Sequence, residues 1–154
     1  WQKIYDGTKH KNLKYKISFT GGEGTANKSF LPFIQWLNLN FPMHSTLLTT
    51  NGSAGVEHYK KLAEELTSIS FSTHSEFIDE KKFFEKAKML NRLMIRPKKS
   101  FTINIMNEYW AEERTKLYKD YCEKYKLSYA INEIDYSYKI RDSIKKEGKY
   151  NLHD

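Results

Sequence analysis

Apolar residues recur along this chain in two alternating rhythms. YKISFT (residues 15–20) mixes β-branched and aromatic residues, stops at glycine and predicts a strand. SFLPFIQWLNLNF follows, with Phe30, Phe33, Ile34, Leu37 and Phe41 at the spacing of one helical face. Ser29 is placed to cap that helix, which puts Pro32 in the first turn, where its missing N–H costs little. STLLTT (45–50) predicts a second strand, punctuated by Asn51 and Gly52, then a helix with Val56, Tyr59, Leu62, Ala63 and Leu66 inward. SISFST (68–73) predicts a third strand, and Asp79 to Leu93 a helix whose apolar face holds Phe83, Phe84, Ala87 and Leu90. SFTINIM (100–106) predicts a fourth strand, followed by a helix marked by Trp110, Leu117, Tyr118, Tyr121 and Tyr125. LSYAINEI (127–134) predicts a fifth, and the last twenty residues are polar and strongly charged.

Strands thus recur roughly every 23 to 32 residues, with one helix between each pair. That is the rhythm of repeated βα units, an α/β fold with a parallel sheet. Periodicity leaves an open sheet and a rolled barrel equally open.

Composition narrows the class. At 154 residues with 15% aromatics, the chain supports one domain with a substantial core and is not disordered. It contains no apolar run of membrane-spanning length and no signal-peptide pattern, so a soluble, cytoplasmic protein with no membrane partner is expected. The net charge of +7 is uneven: residues 1–77 carry eight basic and six acidic residues, residues 78–154 eighteen and thirteen. Basic chains often meet nucleic acid, yet KKLAEEL and DEKKFFEKAK interleave both signs as solvated helix faces do. Nucleic acid is therefore a possible partner but not the favoured one. The single cysteine, Cys122, lies beside Tyr121 in a helical pattern and reads as a buried, inert thiol. It excludes an intrachain disulfide and an all-cysteine metal site within these residues, so no metal ligands are assigned.

In parallel α/β folds the functional loops follow the carboxyl ends of the strands. Here those positions read GGEG, TTNGS, THSE, MNEYW and EIDYS, a concentration of glycine and polar residues along one rim. Three of the seven glycines, Gly21, Gly22 and Gly24, surround Glu23. Without Cβ atoms at Gly21 and Gly22, main-chain groups can face a ligand at contact distance. Glu23 could then accept charge-assisted hydrogen bonds from an ammonium group. Neither G-x-x-x-x-G-K nor G-x-G-x-x-G is present, and an acid at the centre disfavours phosphate. A tight strand-to-helix turn accounts for the same glycines equally well.

The order strand–TGGE, strand–TTNG, strand–S-x-S-x-H resembles the radical S-adenosylmethionine (SAM) enzymes over about residues 15–135. The matching motifs are TGGE at Thr20–Glu23 and TTNG at Thr49–Gly52. The resemblance implies a partial (β/α)6 TIM-like barrel missing its first strand. It also implies that Gly21, Gly22 and Glu23 contact the SAM methionyl group, with Asn51, Ser72 and His74 as further cofactor-binding candidates. Asn104, Asn132 and Glu133 are weaker ones. The implied activity, in an intact protein carrying the upstream cluster-binding segment, is a 5′-deoxyadenosyl radical that abstracts a substrate hydrogen; the cofactors are SAM and, only if upstream cysteines exist, a [4Fe–4S] cluster. The substrate stays open among peptide, sugar and nucleic acid, and no catalytic residue is assigned.

The family binds its cluster through C-x-x-x-C-x-x-C upstream of GGE, and this chain has no cysteine before Cys122. Gly24 also stands where the family commonly has proline. Residues 1–14 read as a lead-in at the cut edge of a longer chain, and 136–154 as a charged tail or linker. The start at Trp1 and the missing first strand favour a fragment over a naturally degenerate domain. The alternatives are a cluster-less SAM- or nucleotide-binding module, or an enzyme that uses SAM without radicals.

Overall fold

A computed structural model describes residues 15–41, 44–74, 79–107 and 111–134, together with Asp6. Among the described residues from 15 to 134, five strands alternate with four helices: β1 (Tyr15–Phe19), α1 (Phe30–Asn40), β2 (His44–Thr50), α2 (Val56–Glu65), β3 (Ser68–Thr73), α3 (Glu80–Met94), β4 (Ser100–Asn107), α4 (Glu112–Lys124) and β5 (Tyr129–Glu133). A single 3₁₀ turn, Gly24–Ala26, separates β1 from α1. All strand pairings are parallel, and the strands lie in the sheet in chain order. The class is therefore α/β with a parallel sheet of repeated βα units.

Right-handed crossovers between successive parallel neighbours put every helix on the same face. The register agrees, because Leu48 pairs with Ile69 and Ile69 with Phe101, aligning three apolar side chains on one face. These residues join Ile34, Tyr59, Leu62, Phe71, Phe83, Leu90, Ile103, Tyr118 and Cys122 in one buried cluster drawn from all four helices. A smaller cluster, Ile17, Leu37 and Phe41, fastens α1 to β1. The opposite face carries Thr49, Ser70, Ser72, Thr102, Asn104 and Met106, which alternation places beside one another. Burying the helix face drives folding, and the opposite face is left to polar groups.

Several expected details differ. Ser29 sits at the start of α1 but makes no side-chain cap bond, because its own backbone is helical (φ −83°, ψ −6°). Asn27 does that work instead, its Oδ1 accepting from the Ser29 N–H at 2.9 Å. Val56 is 41% exposed rather than inward, since the first turn of α2 stands at the rim beyond the end of β2. Leu117 is 39% exposed: the buried line of α4 runs through Tyr118 and Cys122, and Leu117 lies one residue, about 100°, around the helix from it. Asp79 caps α3 rather than belonging to it, accepting from the Lys82 N–H at 3.2 Å. Trp110, the lead-in 1–14 apart from Asp6, the tail 136–154 and parts of the THSE, MNEYW and EIDYS loops lie outside the described residues. No helix among the described residues is long and apolar enough to cross a membrane.

Candidate functional site

Beyond the end of β1 the chain turns through two consecutive left-handed glycines, Gly21 at φ +85° and Gly22 at φ +60°. L-residues resist that conformation because Cβ crowds the following carbonyl. A Cβ built on either glycine meets no atom within 4 Å, so neither is glycine for want of room. Their backbone is bare toward open space. Gly24 differs: its φ is ordinary, and a Cβ there would touch Phe30 and Leu48 at normal contact distances.

Glu23 caps the 3₁₀ turn. Its Oε1 accepts from the Thr25 N–H at 3.1 Å, from the Thr25 hydroxyl in a short bond, and from the Thr50 hydroxyl at 2.7 Å. Its Oε2 accepts from the Asn51 N–H at 2.9 Å. One carboxylate therefore fastens the glycine loop to the loop after β2. Burial opposes its ionisation, but the bonds from Thr25, Asn51 and Thr50 outweigh that and hold its pKa below the ordinary value of 4.5.

The second loop is braced from both sides. Asn51 Oδ1 accepts from the Ser53 N–H at 2.9 Å, closing an Asx turn. Gly52 is left-handed (φ +76°), and its Cβ position is filled by the rings of Phe71 and Phe83 at 3.1 Å. Lys86 Nζ, from α3, donates to the carbonyls of Gly52, in a short bond, and of Ala54 at 3.1 Å. Burial lowers the Lys86 pKa, with Asp79 acting against the shift.

These loops border a cleft of about 500 Å³ at the carboxyl ends of the strands. The structure brings Gly21, Gly22, Glu23, Asn51, Ser72 and His74 together on it, with Asn104 and Asn132 from β4 and β5 and Thr20, Thr49, Thr50 and Met106 filling the gaps. Ser72 is buried and stands in register with Asn104, whose Nδ2 donates to Ser70 Oγ at 2.8 Å. Glu133 is not on the cleft; it accepts from Asn107 Nδ2 at 2.8 Å. A second hollow of about 390 Å³ adjoins across Asn51 and His74, lined also by Asp79, Lys82 and Lys86. Its ion pair, Lys82 with Asp79 at 2.8 Å, is exposed and contributes little.

Sequence reasoning gives Thr25 and Lys86 no role, includes Thr50 only within the TTNG motif and reads Tyr59 only as a core residue. A carboxylate after two glycines, with threonines two residues on and within the next rim motif, was the available signal. Lys86 left none, since its role depends on α3 crossing under the second loop.

Chemically the cleft is a polar, largely uncharged surface. Glu23 is the one carboxylate among its described lining residues, and none of them is Lys or Arg. Cys122 lies elsewhere, fully buried against the helix-side core, where burial pushes its thiol up to about 12. Among the described residues no three His, Cys, Asp or Glu side chains converge to hold a metal ion. Compared with known proteins, the chain matches no family model and no curated sequence.

Proposed function

We propose that this chain is the SAM-binding core of a radical SAM enzyme, built as part of a (β/α)6 barrel wall. The observation that carries the reading is the pair of bare left-handed glycines facing a cleft at the strand ends, followed by an acid tied to the next loop. Sequential strand order with helices on one face supports the barrel part of the reading, since a doubly wound sheet reverses its order midway.

The residues fit SAM. Main-chain carbonyls at Gly21 and Gly22 suit the methionyl ammonium, and the remaining acceptor site on Glu23 Oε2 adds charge. Ser72, Asn104 and Asn132 offer hydroxyl and amide groups to a carboxylate and a ribose. If bound, SAM would be the reactive cofactor, and Gly21, Gly22, Glu23 and Ser72 of this chain would hold and orient it in the cleft. The residues do not fit the cluster. Cys122 is one thiol, buried and protonated at neutral pH, and cannot by itself supply the three thiolates the cluster needs.

That same single thiol favours a second reading, a SAM- or nucleotide-binding module without radical chemistry. Calorimetric titration of SAM into the chain tests the first claim. Saturable one-to-one binding is expected, weakened about tenfold or more by Gly22→Val. Absence of binding removes the SAM reading. Anaerobic reconstitution of this chain with iron and sulfide should give no four-iron chromophore under either form, so the two are separated by the coding sequence upstream of Trp1: three cysteines there at C-x-x-x-C-x-x-C spacing would favour the radical enzyme.

A further inference from the structure

Proton counting fixes the direction of the hydrogen bonds beneath the cleft. A carboxylate only accepts, so the 2.7 Å contact commits the Thr50 hydroxyl proton to Glu23 Oε1. The 2.9 Å contact between Thr50 Oγ1 and the Tyr59 hydroxyl therefore runs the other way, with Tyr59 donating. The Gly52 N–H brings a further donor to Thr50 Oγ1 at 3.3 Å. A one-way chain results, from Tyr59 through Thr50 to Glu23, and the carboxylate at its end also holds the Thr25 and Asn51 N–H groups.

Tyr59 is suited to anchor that chain. It lies on the first turn of α2, is 0% exposed, and meets the Phe71 ring edge-on at a centroid distance of 4.9 Å. Packing of that kind restricts the ring and so fixes where its hydroxyl oxygen sits, within 2.9 Å of Thr50 Oγ1. Burial pushes its pKa above the ordinary value, so it remains a donor at neutral pH.

We propose that Tyr59 is a positioning residue for the cleft. Its hydroxyl, acting through Thr50, holds the Glu23 carboxylate in the one orientation that clamps the glycine loop to the Asn51 loop. With Oε1 occupied by three donors, Glu23 offers a ligand ammonium only Oε2. This last consequence rests on the proposed function; the clamp itself does not.

Amide hydrogen exchange on the full chain tests the clamp without any ligand. In Tyr59→Phe the Thr25 and Asn51 amides, which donate to Glu23, should exchange about tenfold faster or more, while the Ile103 and Ile105 amides of β4 keep their protection. Thr50→Val should reproduce the effect, and Thr50→Ser, which keeps the hydroxyl, should restore slow exchange. Unchanged Thr25 and Asn51 amides in Tyr59→Phe would overturn the proposal. So would uniform acceleration that includes Ile103 and Ile105, because that marks a stabilising core residue and nothing more. Titrating SAM into the same samples adds the functional arm, in which a binding parent should lose about tenfold in affinity with Tyr59→Phe. A parent that binds no SAM defeats the proposed function, and the exchange data still decide the clamp.

Discussion

Gly22 and Gly52 both hold left-handed backbone, at φ +60° and +76°, just past the ends of β1 and β2. Their surroundings are opposite. A Cβ at Gly22 would enter open space beside the cleft, whereas one at Gly52 would press on Phe71 and Phe83 at 3.1 Å. The first loop keeps its backbone bare; the second is sunk into the core and held by Lys86 from α3. Two rim glycines of similar conformation therefore do different things. Gly52 seats the rim on the core, and Gly22 turns the chain beside open space. Glu23 couples the two, so the exposed loop borrows its order from the packed one.

The sharpest test of that difference is Gly52→Ala. Left-handed backbone costs an L-residue about 1–2 kcal/mol, and forcing a methyl between two buried rings adds about 1–3 kcal/mol. Together these should lower the melting temperature by roughly 5–15 °C, measured by calorimetry on the full chain. A stability loss no larger than that of Gly22→Ala would erase the contrast between the loops.

Gly22→Ala comes next. Only the backbone penalty of about 1–2 kcal/mol applies, because nothing lies where the methyl would go. Its melting temperature should fall by roughly 2–8 °C, with its larger consequence in ligand binding. If Gly22→Ala leaves SAM affinity untouched in a parent that binds, the bare backbone is a turn and not a contact surface.

Much of this contrast was out of reach from sequence, for physical reasons. Alternation of period 2 and 3.6 reports which face is apolar, so the strand–helix order and most of the core could be read directly. Parallel strands joined by helices bring their carboxyl ends to one rim, which is why Gly21, Asn51, Ser72 and His74 could be grouped though they span 54 residues. Errors fell where tertiary surroundings override local pattern: Val56 at the rim, Leu117 one step off its face, and Ser29 with a helical backbone. Closure of the sheet is not encoded in periodicity at all. Tyr59 was read as an inward core residue, correctly for its ring, but nothing local shows that its hydroxyl meets Thr50. The same holds for Glu23, whose carboxylate could point to a ligand or to its neighbours until the second loop was in place.

Acid titration gives the smallest effect and bears on the coupling between the loops. The folded pKa of Glu23 lies below its ordinary value of 4.5, so the native state binds fewer protons than the unfolded chain across that window. The stability it contributes is complete above pH 4.5 and is lost as the pH falls through the lowered value. Glu23→Gln should remove this part of the acid sensitivity. It should also lower stability at neutral pH, because a glutamine NH₂ must face either the Asn51 N–H or the donors now gathered on Oε1. His44 must be separated from it. Burial lowers its pKa from the ordinary 6.5, so its contribution begins to fall away already as the pH drops below 6.5. Denaturant midpoints measured from pH 7 to pH 3 resolve the two, since His44→Phe should flatten only the upper part of the curve and Glu23→Gln only the lower. A Glu23→Gln profile parallel to that of the parent below pH 4.5 would mean that the carboxylate does not join the loops, and that each glycine turn stands alone.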